Sequence, residues 1–434
     1  MANSKPTSQG NPKDEEEEDR ISKLPDAILT QILSHLPTKL SVSTSILSSR
    51  WRYVWTSVPD LFFEFGEAVR RDPRFINFVD RVFALHNPNE RIQSLGIYWY
   101  TKNDFCEDLL KWVGVAISLH LHDLNLWLHG NVNANLPSVL FTCKTLVELK
   151  LNGDVALNAV PSHVFLPCLK IIHLSGIDFG SCESASNLFC GCPLLEDLQI
   201  QVIRNFPGRI AIRAPLLKCL SVAYVTKTET ELKIEAPSLE SICLANGSPL
   251  VPIWVGGVPS LVDANVKVGL RTLESLHRFV QLLQNINNAK SLCLRGAVLF
   301  CLRFMGGDNL FSFGNLTGLK VREIYFGGWC MLLKLLQCFP RLEVLVIEEI
   351  YYSDGRNHNP PWTEPQIVPD CIQKHLTTFT FKAFDRSQSN DEEKLLNFVL
   401  RNAKLLKKAM VPRQYLSILS SSPMASEGCQ LSFV

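Results

Sequence analysis

The chain lacks any long apolar run. None of its 434 residues lies in a stretch near the roughly 18–20 that a membrane helix needs, and the richest, Val113 to Leu119, stops at His120 and His122. It also lacks a predominant charge: 43 lysines and arginines face 42 aspartates and glutamates, a net charge of +1. That balance excludes non-specific attraction to nucleic acid or to a membrane surface as the main activity, because both need concentrated positive charge. Catalytic signatures are missing too. There is no glycine-rich phosphate loop, no Gly-x-Ser-x-Gly elbow and no His-Glu-x-x-His, so the chain is not expected to be an enzyme. Met1 to Asn11 holds no apolar segment, so no secretion signal is expected, and a cytoplasmic and/or nuclear location follows. The 14 cysteines are then expected to stay reduced. Cys219, Cys243 and Cys293 fall within apolar runs, where a thiol packs as a small hydrophobe.

Apolar residues are plentiful, 46% of the chain against 20% charged, enough to bury a substantial core. The length points to two to four folded units or to one long repeat array. Residues 1–19 read as a disordered acidic tail ending in six acids, Asp14 to Asp19. From Pro25 to Leu36, the residues Ile28, Leu29, Ile32, Leu33 and Leu36 make the stripe of an amphipathic helix, with Pro25 in its first turn and Pro37 at its end. A second short helix is expected over Val42 to Ile46. A third follows Leu47, with Trp51, Val54 and Trp55 at i, i+3 and i+4 before Pro59. Three short helices have little interior for so many apolar side chains, so the module offers some of them to a partner.

Beyond residue 90 a repeat takes over: an apolar residue, two variable ones, a second apolar residue, one variable, and a third apolar one. It occurs at Ile92/Leu95/Ile97, Leu121/Leu124/Leu126, Leu146/Leu149/Leu151, Leu169/Ile172/Leu174, Leu195/Leu198/Ile200, Leu217/Leu220/Val222 and Leu239/Ile242/Leu244. A weaker copy at Leu261/Ala264/Val266 is followed by Ala289/Leu292/Leu294, Val321/Ile324/Phe326 and Leu342/Leu345/Ile347. Each unit supplies one short strand and a return segment, the pattern of a leucine-rich-repeat solenoid spanning residues 90–352. Outward positions beside the repeat leucines, Glu148, Lys150, His173, Gln199, Gln201 and Ser221, would choose a partner. Residues 353–369 read as a linker. A strand over Leu376 to Phe381 then precedes a helix that opens at Ser389-Asn390 and buries Leu395, Leu396, Val399, Ala403 and Leu406, and Gln430 to Val434 can form a last strand.

These residues carry a resemblance. Asp19 to Asp26, Ile32 to Thr38 and Thr44-Ser45-Ile46-Leu47-Ser48-Ser49-Arg50-Trp51-Arg52 closely resemble a plant-type F-box. Val368-Pro369-Asp370-Cys371-Ile372, His375-Leu376, Glu392-Glu393 and Leu400 to Lys407, with the closing segment Ser420 to Phe433, resemble an FBD domain. Together with the repeats they resemble the plant F-box/FBD/LRR-repeat proteins over nearly the whole chain. The resemblance implies an α/β architecture: a small three-helix F-box (20–64), the solenoid with its parallel concave sheet, and a C-terminal α+β FBD cap (370–434). It further implies a non-catalytic subunit that recruits a target protein to a ubiquitin ligase, docking on a Skp-type adaptor and through it on a cullin and a RING protein. Carried over, the docking residues are Leu24, Pro25, Ile28, Leu29, Ile32, Leu33, Leu36, Pro37, Leu47, Trp51 and Trp55. Leu40, Ser43 and Ser49 stand where that family commonly has charged residues. No cofactor, metal, nucleic acid or membrane is expected as a partner; His120, His122 and His129 read as surface histidines. The alternatives are a repeat scaffold or a small-molecule co-receptor without ligase assembly.

Overall fold

The computed structural model describes residues 20, 21, 23–65, 73–100, 107–129, 134–203, 209–225, 231–246, 253–268, 273–296, 311–325, 329–351, 362–382, 390–416 and 424–433. The acidic run and much of the segment 353–369 lie outside them.

One sheet of 15 strands organises the chain, and its spatial order is the order of the sequence. The strands are β1 (Asp60–Phe65), β2 (Ser94–Tyr100), β3 (Asp123–His129), β4 (Glu148–Gly153), β5 (Ile171–Ser175), β6 (Asp197–Ile203), β7 (Cys219–Val225) and β8 (Ser241–Asn246). They continue as β9 (Asp263–Val268), β10 (Ser291–Gly296), β11 (Gly318–Tyr325), β12 (Val344–Tyr351), β13 (Thr378–Lys382), β14 (Lys408–Val411) and β15 (Gln430–Phe433). Every neighbouring pair is parallel, so each strand needs a return segment. Some returns are helical: α3 (Pro73–Leu85), α4 (Glu107–Ser118), α5 (Cys182–Cys190), α6 (Leu273–Asn285), α7 (Trp329–Leu336), α8 (Asp370–Lys374) and α9 (Asn390–Asn402). Others are strands themselves, Arg209–Arg213, Glu231–Glu235 and Ile253–Val255, which pair into a small second sheet.

The register is set by a repeated hydrogen-bond motif. Just before each strand, one carbonyl accepts two successive amides of the next repeat. Pro59 takes Gln93 and Ser94, Gln93 takes His122 and Asp123, and His122 takes Val147 and Glu148. The series runs on through Val147, Lys170, Glu196, Lys218, Glu240, Val262, Lys290, Thr317, Glu343 and Thr377, with N···O distances of 2.8–3.3 Å, and Lys407 accepts from Gln430. The repeat residues then point inward together, and Leu124, Leu149, Ile172, Leu198, Leu220, Ile242, Ala264 and Leu292 form one buried row. At the end of β4 the backbone approaches so closely that Gly153 has φ +99°, and a Cβ there would lie 1.9 Å from the Leu128 carbonyl oxygen.

The same pattern reaches past the expected limits of the solenoid. Val58/Leu61/Phe63 on β1, Leu376/Phe379/Phe381 on β13 and Leu406/Ala409/Val411 on β14 have the identical spacing and are all buried. The N-terminal module and the C-terminal region are therefore built onto one continuous sheet. One copy is corrected. β11 pairs Leu319 with Leu292 and Leu345, and Val321 with Leu294 and Ile347, so the buried triplet is Leu316/Leu319/Val321 rather than Val321/Ile324/Phe326. Val321 fits the spacing either as the last member of one triplet or the first of another, and packing of Leu316 decides; Phe326 lies outside the described residues.

The N-terminal helices also differ from expectation. α1 (Asp26–Ser34) follows Pro25, but α2 spans Thr38–Ser43, four residues before the expected start, because Pro37 opens it instead of merely ending α1. Ser41 is buried inside α2, its hydroxyl donating to the Leu33 carbonyl at 2.9 Å. No α-helix forms around Trp51: this stretch is turns and 3₁₀ segments at Thr44–Ile46 and Val54–Ser57, since Trp51, Val54 and Trp55 are all drawn into one small core. Cys219, Cys243 and Cys293 are corrected as well. They alternate with the buried residues and face outward, while among the described residues Cys143, Cys192, Cys338 and Cys371 are the buried thiols, Cys192 and Cys371 pushed up to about 12 chiefly by that burial.

Glu392 on α9 is a buried carboxyl. The Tyr415 hydroxyl donates to its Oε2, whereas Oε1 has no hydrogen-bond partner among the described residues. Burial raises its pKa from 4.5 to about 7 against that hydrogen bond. The folded chain thus holds a proton that the unfolded chain has already lost, so this group's stabilisation is complete below about pH 4.5 and declines to a plateau above about pH 7. Glu392→Gln is expected to remove up to about 3 kcal/mol of the stability difference between pH 5 and pH 8 in urea denaturation; an unchanged difference would contradict the buried, protonated state.

Candidate functional site

Two surfaces leave their apolar or polar groups unsatisfied by the fold. The first is the N-terminal module. Leu29, Leu33, Val54, Trp51 and Trp55 occupy its interior, with Leu29 and Leu33 at 0% and 1% exposure. The Trp55 indole N–H donates to the Arg52 carbonyl at 3.1 Å. The Arg50 guanidinium donates to the Leu24 carbonyl and, at 3.0 Å, to Asp26 Oδ1, tying the last turn to the start of α1. The module is joined to the sheet by Thr38, whose hydroxyl accepts the Phe62 amide at 2.8 Å, and by buried His86, whose Nε2 lies 3.2 Å from the Val58 carbonyl.

The module also leaves several large apolar side chains exposed among its polar ones. Ile28 and Ile32, one turn apart on α1, are exposed, and so are Leu40, Ile46 (86%), Leu47 (65%) and Tyr53. Pro25 and Pro37 are also exposed and Leu24 and Leu36 half-buried. The structure therefore divides the eleven docking residues inferred from sequence. Pro25, Ile28, Ile32, Pro37 and Leu47 are exposed and Leu24 and Leu36 half-buried, whereas Leu29, Leu33, Trp51 and Trp55 are buried in the module's core. Leu40, Ile46 and Tyr53 are exposed as well and were not among the eleven; the exposed side of each element, left over once its buried residues are assigned, would have found them. So many large apolar side chains in water on one small unit mark a contact surface.

The second surface is the open face of the sheet, lined by the alternate positions of every strand. The parallel register sets Asn125, Lys150, His173, Gln199, Ser221, Cys243 and Asn265 side by side, one per strand. Glu148, Lys150, His173, Gln199, Gln201 and Ser221 all lie on this face. Lys150, His173, Gln199 and Gln201 line one hollow of about 170 Å³ together with Trp127, Asn152 and Ser175. Glu148 pairs with Lys150 at 2.5 Å, and His173 Nε2 lies 3.4 Å from Asp197 Oδ2. Beside the hollow stands an aromatic group the sequence reading missed. Tyr98 stacks on Trp127 at 5.2 Å, Phe62 meets Tyr98 edge-on at 4.9 Å, and Trp127 donates to Asn125 Oδ1 at 2.9 Å. Gly96 makes room for it, since a Cβ there would lie 2.8 Å from the Phe62 ring. Asp123 is raised by burial and then by the like charge of Glu148.

Other candidate groups are dispersed. His120 lies in the turn after α4 with φ +63°, the His122 carbonyl belongs to the register series, and His129 stacks on Tyr100 at 5.5 Å. Among the described residues no group of three or more His, Cys, Asp or Glu could hold a metal ion, and no helix is long and apolar enough to cross a membrane.

Comparison with known proteins finds three family models along the chain. The F-box domain matches residues 21–63, the model described as FBD-associated F-box protein At5g56370, LRR repeats, matches 109–263, and FBD matches 364–411. The chain is similar to FBD-associated F-box protein At4g10400 of Arabidopsis thaliana, 32% identical over 433 residues that cover 96% of this chain and 100% of that protein. It is also similar to F-box/FBD/LRR-repeat protein At5g56420 of Arabidopsis thaliana, 30% identical over 447 residues, 96% of this chain and 99% of that one.

Because the hollow's polar residues sit on the open face and not in the stack, replacing Lys150, His173 and Gln199 together by alanine is expected to change stability by less than about 1 kcal/mol in thermal or chemical denaturation. A loss of several kcal/mol would make these side chains structural.

Proposed function

The chain belongs to the plant F-box/FBD/LRR-repeat family, and from that premise we propose that it is the target-recruiting subunit of a Skp–cullin–F-box ubiquitin ligase. The observation that carries the reading is the set of large apolar side chains that the N-terminal module leaves exposed. Ile28, Ile32, Leu40, Ile46, Leu47 and Tyr53 surround a core that is already complete, so their exposure serves a partner rather than the fold. The partner is a Skp-type adaptor, which connects the chain to a cullin and a RING protein in the cytoplasm and/or nucleus.

The open face of the sheet takes the target protein. The hollow of about 170 Å³ is small beside the roughly 300–1,000 Å³ of pockets that enclose a small molecule, and suits one side chain of a bound protein segment. This favours protein capture over a small-molecule co-receptor. The chemistry of ubiquitin transfer belongs to other subunits. This chain contributes proximity: holding a target beside a charged conjugating enzyme raises the effective lysine concentration toward roughly the mM range.

Co-purification with a Skp-type adaptor tests the reading. The double variant Ile32→Asp, Leu47→Asp alters only exposed positions and is expected to keep the wild-type melting profile while weakening the 1:1 complex at least tenfold, about 1.4 kcal/mol or more. Full adaptor affinity in that variant, or no affinity in the wild type, would overturn the proposal. Leu33 and Trp51 are unsuitable for this test because both are buried in the module's core, so their replacement also tests folding.

A further inference from the structure

The open face is divided by charge. On β1–β6 its outward positions carry Asp60, Glu64, Asp123, Glu148 and Asp197 against one lysine, Lys150. On β9–β13 the balance reverses: Lys267, Arg295, Lys320, Arg322 and Lys382 face outward against Asp263 and Glu348 among the described residues. The register places Lys267, Arg295, Arg322, Glu348 and Lys382 in one row on five consecutive strands. Glu348 is the fourth of the five, between Arg322 and Lys382. Its Oε2 is 2.9 Å from Lys320 Nζ and 3.4 Å from Arg322 Nε, and its Oε1 is 3.7 Å from Lys382 Nζ. One carboxylate thus serves three cations. Burial pushes Glu348 up, but the hydrogen bond from Lys320 and the charges of Lys320, Lys382 and Arg322 outweigh it and hold the carboxyl below its ordinary value. Arg295, Arg322 and Lys320 also act together on the half-buried Cys293 thiol, opposing the rise that burial causes.

Such a concentration of cations on a chain of balanced charge is local, and its shape indicates what it binds. Four strand spacings separate β9 from β13, roughly 19 Å, the reach of about six extended residues. The cations form a row, not a single convergent pocket, so they suit several charges spaced along a chain better than one compact anion.

We propose that strands β9–β13 are the docking surface for an acidic segment of a partner protein, about six residues rich in aspartate and glutamate. This rests on the reading of the open face as the target-binding surface and names the chemistry of the segment captured. Lys267, Arg295, Arg322 and Lys382 pair with its carboxylates, while Glu348 is the internal carboxylate that keeps the cations in place and competes with the ligand. Arg295, Lys320, Arg322 and Glu348 lie between the stretches matched to the repeat and FBD models, and Lys382 lies within the FBD match, so the FBD completes the surface.

Fluorescence anisotropy with the full chain and a labelled hexaglutamate peptide tests this, with hexaglutamine as the control. Hexaglutamate is expected to bind, hexaglutamine is not, and affinity falls as salt is raised because the pairing is between solvent-accessible charges. Arg295→Gln with Arg322→Gln weakens binding at least tenfold; should that variant melt early, Lys267→Gln with Lys382→Gln gives the same loss. Glu348→Gln tightens binding severalfold. Equal binding of hexaglutamine, or hexaglutamate binding indifferent to the cation variants, overturns the proposal. So does tenfold tighter binding of a phosphoserine peptide without other acids, or of an oligonucleotide. Changing Glu15, Glu16, Glu17 and Glu18 to Gln leaves affinity unchanged; a marked gain would make the chain's own acidic run the occupant and overturn a partner segment. Adaptor binding measured on the same samples separates the two proposals, since loss of peptide binding with the adaptor complex intact rejects only this one.

Discussion

The structure depends on a single repeated constraint, the carbonyl that accepts two amides from the next repeat. From Pro59 to Thr377 each such oxygen receives the residue before a strand and the strand's first residue. A backbone contact of this kind is indifferent to side-chain identity, which is why returns as unlike as the helix Leu273–Asn285 and the strand Glu231–Glu235 can alternate without disturbing the sheet. It fixes register to the residue, and with period-2 alternation a slip by one position would turn every buried leucine to water. The buried rows and the open face are two results of the same registration.

Both functional surfaces follow from it. Since β1 is the first strand of the sheet and also the end of the N-terminal module, the apolar docking side is held in fixed relation to the open face through Thr38, His86 and the Pro59 carbonyl. On the proposed reading that rigidity matters, because a target-recruiting subunit has to present its target at a defined distance from the remaining subunits. The open face itself carries no apolar demand, so its composition is free to vary from strand to strand. It holds aromatic rings, acids and the hollow on its first six strands and cations toward the C-terminus.

Much of the fold was legible because the signal is local and periodic. Ten of the eleven triplets read from the sequence coincide with buried positions, and the eleventh slipped because Val321 satisfies the spacing twice. The copies at Val58, Leu376 and Leu406 carry the same spacing but sit inside stretches that also resemble other domains, which concealed that the sheet continues through them. The failures have a common cause as well. The turns around Trp51 were read as a helix because i, i+3, i+4 spacing is also what a compact turn needs to bury two tryptophans. The exposed apolar positions of the N-terminal module were half legible: spacing shows which side chains are apolar, but only the packed module separates buried Leu33 from exposed Ile32. The stacking of Trp127 on Tyr98 and the convergence of Lys320, Arg322 and Lys382 on Glu348 join residues from different repeats, and only the register brings them together.

Native-state hydrogen exchange on the full chain tests the continuous stack most directly. The informative amides are those donated to the register carbonyls, from Ser94 near the N-terminal module to Lys408 in the FBD region. A single sheet predicts that both ends are protected together with the central strands and lose protection in a graded series from the termini inward as denaturant is added. An FBD region that opens as a separate cooperative unit, with its own midpoint and no effect on β10–β12, would contradict the account.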